Sequence, residues 1–209
     1  MSLRHLFFPQ TIHLPDSKYN KHVSIIRYFW GNTLYVDGLI ESGDIMYHIW
    51  QVGLKNLIPS QFSPQKILLL GLAGGSNARL INKNFPKAQI TAVEIDPQMV
   101  QIGQKYFHLN KINNLKIVVA DALDFVSNLK PDDHFDLILV DCFCGQDIPK
   151  KLQTLSFIEK LYQHSTYTLI NRLWHYQYLI ESQQFLHRIK TQFDFVTTFT
   201  GTNQVILLL

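Results

Sequence analysis

The sequence predicts an α/β fold: a seven-stranded, mostly parallel sheet with a terminal antiparallel hairpin, plus a small N-terminal β-element. Three observations predict it. From residue 66 onward, apolar runs alternate with helical segments, which is typical of parallel βαβ units buried on both faces. A glycine-rich turn follows the first of these runs. Only residues 200–203 separate the last two runs, whereas a parallel crossover takes a dozen or more residues, so these two strands must be antiparallel neighbours.

The segment 66–96 contains the first βαβ unit. Its apolar strand, residues 67–70, is followed by glycines that let the backbone approach a ligand, and by a helix start that offers unpaired N–H groups to an anionic group. The second strand ends in Glu94, 23 positions after Gly71, where a carboxylate can accept both hydroxyls of a ribose. A turn that serves only tight packing is the simpler alternative, but the pairing of turn and acid favours a binding site.

The composition indicates one compact α/β domain with a small appendage. The 209 residues are 46% hydrophobic and 17% charged, with a net charge of +3 and no block of basic residues, so we expect no dedicated nucleic-acid surface. No apolar run reaches the roughly 18 residues that cross a bilayer, and the start MSLRHLFFPQ does not look like a signal peptide. We therefore expect a cytoplasmic protein without membrane contact. Cys142 and Cys144 are expected to be reduced thiols and not metal ligands, because no further cluster completes a ligand set.

Residues 1–60 are predicted to form a small N-terminal β-hairpin and helix element, and residues 61–209 a Rossmann-like main domain. Residues 1–22 are expected to wrap the surface. Two β-rich segments lie on either side of Gly31 and Asn32, a pair that predicts a two-residue hairpin turn. These segments are residues 23–30 and 33–40.

An amphipathic helix is predicted over residues 45–57, because apolar residues recur near one face. The start of this helix carries Tyr47 and His48. Pro59 and Pro64 end the helix and mark the boundary before the main sheet.

The remaining elements of the main domain place acids at strand ends. Asp96 and Pro97 predict a helix start, with Asp as the N-cap and Pro at the first helical position. Two later strands close on Asp121 and Asp141, which should therefore gather with Glu94 along one edge of the sheet. Capping of the following helix or turn is the alternative role for each acid. The later strands are predicted at residues 115–120, 135–140, 167–173, 193–199 and 204–209, with helices at 151–163 and up to about 190.

The terminal hairpin also excludes one class of function. Nicotinamide-binding domains are built from parallel strands, and their turn carries the full G-x-G-x-x-G pattern, whereas the turn here is GLAGGS. The sequence therefore argues against a dehydrogenase and indicates the seven-stranded fold that binds S-adenosylmethionine.

Successive segments of the chain resemble a known family in order and spacing. LLLGLAGGSNARL, AVEID, VVADALDFV and DLILVDCFCGQDIP are similar to the cofactor and catalytic segments of the spermidine synthase-like family, a branch of the S-adenosylmethionine-dependent methyltransferase fold. LYVDGLIESGDIMYHI resembles the family's N-terminal β-element and the start of the following helix. The resemblance covers about residue 34 to the end. It implies S-adenosylmethionine or its decarboxylated form as cofactor, and a homodimer formed through the N-terminal β-element.

The resemblance also implies roles for individual residues. The loop 71–75 would hold the amino-acid tail of the cofactor, and Glu94 its ribose. Asp121 and the Ala122 backbone would contact the adenine amino group, while Asp141 would face the transferred group. The cofactor-binding residues implied in this way are Gly71, Ala73, Gly74, Gly75, Glu94, Ile95, Asp121, Ala122 and Asp141.

Three departures from the polyamine synthases bear on the reaction. Gly74 stands where they carry an aspartate that grips the amine of the aminopropyl donor, and Cys144 stands where they carry a second aspartate. Glu41 replaces their polyamine-contacting glutamine. Because a polyamine carries several ammonium groups, the loss of two carboxylates removes most of what would hold it. The chain therefore resembles the methyltransferase-like relatives of these synthases more than the synthases themselves.

The first functional hypothesis is an S-adenosylmethionine-dependent methyltransferase that acts on a small-molecule acceptor. The sulfonium is already activated, so the enzyme must orient the acceptor and exclude water. Asp141 is the first candidate base and His48 the second, with Tyr47 beside it; an ordinary helix histidine is an equally good interpretation of His48. Aromatic side chains that could line an acceptor pocket, or simply pack in the core, are Tyr47, Phe143, Trp174 and His175.

Two alternatives stay open. One is a polyamine aminopropyltransferase that uses decarboxylated S-adenosylmethionine; Asp141, Tyr47 and His48 favour it, while Gly74 and Cys144 oppose it. The other is a non-catalytic nucleoside-binding or scaffolding domain. The presence of glycine loop, ribose acid and adenine acid together argues against such a loss of activity.

Overall fold

The computed structural model describes residues 8–145 and 147–209. Its elements are, in chain order, β1 (Gln10–His13), β2 (Ser24–Arg27), β3 (Asn32–Val36), β4 (Leu39–Ser42), α1 (Asp44–Leu57), β5 (Lys66–Leu70), α2 (Ser76–Asn84), β6 (Gln89–Glu94), α3 (Pro97–Tyr106), β7 (Leu115–Val119), α4 (Ala122–Ser127), β8 (Phe135–Val140), α5 (Leu155–Gln163), β9 (Ser165–Leu173), α6 (Tyr178–Ile189), β10 (Phe195–Thr200) and β11 (Asn203–Leu208). Short 3-10 turns lie at Leu109–Lys111 and Lys150–Gln153.

The larger sheet has seven strands in the order β10-β11-β9-β8-β5-β6-β7. Strands β5 to β9 pair in parallel, and β11 pairs antiparallel with both β9 and β10. The predicted sheet and its terminal hairpin are therefore confirmed. The connections leave β5 in one direction and β8 in the other, so the junction of these two strands is the topological switch point at which such sheets bind ligands.

The central strand β5 is buried on both faces, which explains its continuous apolar run. Ile67 and Leu69 pack on one face, in a cluster that includes Trp50 of α1. Leu68 and Leu70 pack on the other face, in a cluster that α4, α5 and α6 complete. Both layers of helices thus hold the carboxyl end of β5 in place.

The N-terminal sheet has four antiparallel strands in the order β1-β2-β3-β4, where a two-stranded hairpin was expected. The predicted two-residue turn at Gly31 and Asn32 is wrong. The N–H of Tyr28 donates to the carbonyl of Gly31 over 2.7 Å, and Asn32 is already paired in β3, so the turn has four residues. A second turn at residues 37–38, both with positive φ, divides the predicted second strand into β3 and β4.

The N-terminal sheet packs against α3 of the main body and brings residues 14–22 next to the carboxyl edge of the large sheet. The helix α1, in contrast, packs on the large sheet itself, and the domain division at residue 60 stays a prediction. Residues 1–7 lie outside the described part of the chain. Within that part, no helix is long and apolar enough to cross a membrane. The cluster between the N-terminal sheet and α3 contains Val23, Ile25, Leu34, Val36, Met99, Ile102 and Phe107.

Candidate active site

A cavity of about 250 Å³ lies at the carboxyl ends of β8, β5, β6 and β7, and we call it the edge cavity. It is located at the switch point of the sheet, where binding is expected. Gly74 and Gly75, at the end of the glycine loop, are buried and do not line the cavity. The other predicted cofactor residues do line it: Gly71, Ala73, Glu94, Ile95, Asp121, Ala122 and Asp141.

The glycine turn brings the backbone of β5 close to that of β8. Gly71 has a φ of +86°, and a Cβ there would overlap the carbonyl oxygen of Asp141. The N–H of Gly71 donates to the carbonyl of Val93 over 2.9 Å, which extends the ladder by one residue. Only glycine fits this position, so the predicted need for a bare backbone in the turn has a steric cause.

Gly74 occupies a place where the structure leaves no room for a side chain. An added Cβ would lie 2.8 Å from Cβ of Ser42 and 3.0 Å from the ring of Phe107. The N–H of Gly74 donates to Oγ of Ser42 over 2.9 Å. The hydroxyl of Ser42 therefore fills the space in which the polyamine synthases would place a carboxylate.

Glu94 at the end of β6 holds the glycine loop. Its Oε2 accepts hydrogen bonds from the N–H groups of Leu72 and Ala73 at 3.0 and 2.9 Å. Its Oε1 accepts one from the N–H of Asp96 at 2.9 Å. A carboxylate has about four lone-pair sites, so one site on Oε1 is left for a ligand such as a ribose hydroxyl. The expected convergence of this acid on the loop is present, but both ribose hydroxyls cannot bind it without a change in these bonds.

Asp121 lines the edge cavity and also caps α4, which is the alternative role expected from the sequence. Its Oδ1 accepts a hydrogen bond from the N–H of Leu123 at 2.9 Å and caps α4, while Oδ2 forms an ion pair with Lys151. Burial raises the pKa of Asp121, but the bonds from Lys151 and Leu123 outweigh it and hold the pKa below its ordinary value. The carboxylate is therefore charged at neutral pH and available at the rim of the edge cavity.

Asp141 is held from two sides by neutral donors. Its Oδ2 accepts from Nε1 of Trp50 and its Oδ1 from Nδ2 of Asn171, each at 2.8 Å. Burial raises the pKa of Asp141, although these two hydrogen bonds oppose the effect; Glu94 adds to it. Sequence reasoning did not identify Trp50 or Asn171 as site residues. A polar Asn inside the apolar strand TLINRL was the available signal for the second.

Glu41 lies at the end of β4. In the sequence it is notable only because the polyamine synthases carry a glutamine at this position. Its half-buried side chain lines the edge cavity and also a second cavity of about 330 Å³. Burial, with Asp141 and Glu94 nearby, raises the pKa of Glu41 to about 8. A carboxyl group that exchanges its proton near neutral pH thus lies between two cavities.

The second cavity, which we call the adjacent cavity, shares Glu41 and Phe143 with the edge cavity. Of the four predicted acceptor-pocket aromatics, Phe143 and His175 line it. Trp174 packs instead on Phe199, with ring centroids 5.3 Å apart. The apolar part of the remaining lining comes from β4, α1 and the end of β9: Leu39, Ile40, Ile45, Met46, Ile49 and Leu173. Tyr35, Gly38, Thr202 and Asn203 complete the lining.

Tyr47 and His48 lie away from both cavities as far as the described residues define them. The buried face of α1 contains Met46, Ile49 and Trp50, and at 100° per residue the side chain of His48 turns outward while Tyr47 packs at the edge of this face. His48 is exposed, and the ring of Tyr47 lies in an open groove, 5.9 Å from Nζ of Lys83. The structure does not bring these two members of the predicted catalytic set to Asp141.

The segment 14–22 covers part of the edge cavity, a role that could not be predicted from the sequence. Tyr19 and Asn20 line the cavity. Asn20 donates through Nδ2 to Oδ2 of Asp96 at 2.7 Å, and Ser17 donates to the same oxygen. The thiol of Cys144, which stands where the synthases carry an aspartate, donates to the carbonyl of Tyr19 at 3.3 Å.

The chain belongs to the methyltransferase domain family, whose pattern matches residues 65–205. The match covers the large sheet as far as the middle of β11, together with the glycine loop and the three acids at the strand ends. The predicted resemblance to the spermidine synthase-like branch is confirmed as well, because the relatives of this chain include both methyltransferases and polyamine aminopropyltransferases.

Three comparisons define this relationship. An eEF1A lysine and N-terminal methyltransferase homolog of Drosophila melanogaster is 38% identical over 84 residues, which is 40% of this chain and 12% of that protein. A polyamine aminopropyltransferase of Vibrio vulnificus is 35% identical over 97 residues, 46% of this chain and 32% of that protein. The crystal structure of human methyltransferase-like protein 13 in complex with SAH has a TM-score of 0.66 at 23% identity and covers 79% of this chain and 82% of that one. The matches thus span well under half of the curated relatives.

Proposed function

We propose that this protein is an S-adenosylmethionine-dependent methyltransferase that binds its cofactor in the edge cavity and its acceptor in the adjacent cavity. In this arrangement Glu94 and Asp121 hold the adenosine, while the loop at residues 71–75 lies against the amino-acid tail. The transferred methyl group then points toward the junction of the cavities at Glu41 and Phe143. A positioned acceptor at this junction reacts in line with the methyl carbon, and orientation of this kind can lower a barrier by several kcal/mol.

The observation that carries the proposal is the filled space around Gly74. Decarboxylated S-adenosylmethionine ends in an ammonium group without a carboxylate, and a carboxylate of the enzyme beside it would favour that form. Here Ser42 occupies that place, and a Cβ on Gly74 would lie 2.8 Å from its Cβ. The space at Gly74 therefore has no room for the enzyme carboxylate that would favour the decarboxylated cofactor.

The carboxyl groups at the junction favour cations. Glu41, Glu94 and Asp141 all line the edge cavity, so a sulfonium and a protonated amine are both attracted while an anionic acceptor is repelled. The name of the Drosophila relative refers to lysine and N-terminal methylation, which are reactions at amines. An amine acceptor is consistent with both facts.

Competition calorimetry tests this proposal directly. We expect S-adenosylmethionine and its demethylated product to bind at least tenfold more tightly than decarboxylated S-adenosylmethionine. The variant Asp121→Ala should weaken all three ligands, whereas Asp124→Ala, in the same helix but exposed, should not. No binding of S-adenosylmethionine at millimolar concentration would refute the methyltransferase assignment.

Aminopropyl transfer is the second candidate, and the 35% identity to the Vibrio polyamine aminopropyltransferase is the observation in its favour. The same titration decides between the two. A preference for the decarboxylated cofactor, together with formation of spermidine from putrescine, would replace methyl transfer by aminopropyl transfer.

A further inference from the structure

Glu41 differs from the other carboxyl groups at the site because its oxygens are free to take a proton. Asp141 accepts two side-chain hydrogen bonds and Glu94 three backbone bonds. Asp121 is held by Lys151 and by the N–H of Leu123. For Glu41, burial and the neighbouring acids perturb the carboxyl group, and no hydrogen bond from residues 8–145 and 147–209 contributes. Of the four, Glu41 is the group that can exchange a proton without breaking an existing contact.

The ionisable groups that line the two cavities surround Glu41, and two of them influence its pKa. Burial, and to a smaller extent the charges of Asp141 and Glu94 in the edge cavity, raise the pKa of Glu41 to about 8. Tyr35 and His175 are the other ionisable groups that line the adjacent cavity within the described residues. Elsewhere on the edge cavity the ionisable side chains are Tyr19, Asp121, Cys142, Cys144 and Lys151. A cation that enters the junction favours the charged form of Glu41 and so prepares it to accept a proton.

The adjacent cavity has the wrong lining for a polyamine. Apart from Glu41, which it shares with the edge cavity, its described lining contains no carboxylate, and apolar side chains from β4 and α1 form one part of its wall. The second and third ammonium groups of a polyamine would lie there without a counter-charge, which is costly. A molecule with one amine and an apolar body matches this lining, because the amine can lie beside Glu41 and the apolar body against the apolar side chains.

We propose that the acceptor is a monoamine with an apolar body, and that Glu41 accepts the proton that its ammonium group must lose before methyl transfer. This inference rests on the proposed methyltransferase function. The ammonium group gives a proton to the Glu41 carboxylate and becomes a neutral amine. The lone pair of that amine forms a bond to the methyl carbon while the carbon–sulfur bond breaks, and its electrons stay on sulfur. The products are a methylated ammonium ion and a neutral thioether, and Glu41 releases its proton to solvent.

An acceptor panel tests the substrate class. The full chain is incubated at pH 8 with methyl-labelled S-adenosylmethionine and hexylamine, phenethylamine, putrescine, spermidine or a short lysine peptide. We expect kcat/KM for the two monoamines to exceed that for putrescine and spermidine at least tenfold. Preference for the polyamines, transfer only to the peptide, or transfer to none of these amines would each overturn the inference. In all three cases calorimetric binding of S-adenosylmethionine would leave the proposed function intact, whereas failure of that binding removes both.

The Glu41→Gln variant tests the proton transfer. General-base catalysis contributes about 100-fold or more, so kcat/KM should fall by that factor at pH 8. In wild type kcat/KM should rise with pH with a midpoint near 8, and in Glu41→Gln this midpoint should move toward the pKa of the free amine, about 10. Binding of S-adenosylhomocysteine, which carries no sulfonium charge, should persist and show that the variant is folded. Asp44→Asn removes an exposed acid just after β4 and should keep the wild-type profile. An unchanged rate and profile in Glu41→Gln would contradict the assigned role.

Discussion

At the scale of single residues, the site is organised by carboxylates with different partners. Asp141 is bound by Trp50 and Asn171, and Glu94 by three backbone N–H groups. These acids position the loop and the strand ends, whereas the carboxyl group of Glu41 has no hydrogen-bond partner among residues 8–145 and 147–209. The number of hydrogen bonds at each carboxyl group therefore separates the two supporting acids from the one to which we assign proton transfer.

Replacing Asp141 by Asn should destabilise the fold. The new amide must turn its NH2 group toward Trp50 or Asn171, both of which are donors, and an unpaired buried donor costs about 1–3 kcal/mol. Urea unfolding at pH 7 measures the loss, with the exposed Asp132→Asn as control. Equal stability of Asp141→Asn and wild type would show that this hydrogen-bond pair is not formed.

Replacing Gly71 by Ala should cost more than the backbone strain of a positive φ alone. The added Cβ would overlap the carbonyl oxygen of Asp141, so we expect a loss of about 2 kcal/mol or more and weaker cofactor binding. Gly201→Ala is the matched control, because Gly201 has a φ of +64° with no atom near its Cβ position. Similar losses in the two variants would exclude a tight contact between the glycine loop and β8.

The pH dependence of stability follows from the raised pKa of Glu41. Because its pKa of about 8 in the folded state lies above the ordinary value, the folded state binds the proton more strongly. The contribution of Glu41 to the free energy of unfolding is therefore complete below the ordinary pKa of a glutamate and is lost as pH rises toward 8. The free energy of unfolding should fall by at most about 1.4 kcal/mol per pH unit. Denaturant unfolding from pH 4 to 9 should show this decline in wild type but not in Glu41→Gln. Parallel profiles would contradict the burial of this carboxyl group.

At the scale of elements, two segments outside the predicted cofactor motifs complete the site. Trp50 of α1 fixes Asp141, and the segment 14–22 covers the edge cavity through Tyr19 and Asn20. The segment has no regular structure over most of its length. Its position depends on hydrogen bonds to Asp96 at the start of α3. The N-terminal part of the chain therefore lines the edge cavity as well as the adjacent cavity.

Asn20→Ala should weaken cofactor binding about tenfold, because one hydrogen bond that holds the covering segment is lost and a bond to a charged group contributes about 1.5 kcal/mol or more. Calorimetry with S-adenosylhomocysteine provides the measurement. Asn56→Ala also loses one side-chain bond, to Thr198 at 3.0 Å, but on an exposed face of α1. If both variants bind like wild type, the segment does not close over the cofactor.

At the scale of the whole molecule, the large sheet could be predicted from the sequence, and seven predicted residues do line the edge cavity. Continuous apolar runs, the short final connection and the acids at strand ends follow from backbone geometry, and they predicted the sheet and part of the lining of the edge cavity. The direction of the Tyr47 and His48 side chains could not be predicted, because it depends on which face of α1 packs on the sheet. The position of the segment 14–22 could not be predicted either, because it depends on hydrogen bonds to Asp96, far along the chain. The four-residue turn before Asn32 was hidden because Gly31 and Asn32 match a commoner hairpin signal.

A crystal structure with S-adenosylhomocysteine tests the central claim most directly. We expect the adenosine in the edge cavity, with one ribose hydroxyl about 2.7 Å from Oε1 of Glu94, the adenine amino group near Asp121, and the sulfur directed toward Glu41 and Phe143. An adenosine bound elsewhere, or a sulfur directed away from the adjacent cavity, would contradict the account.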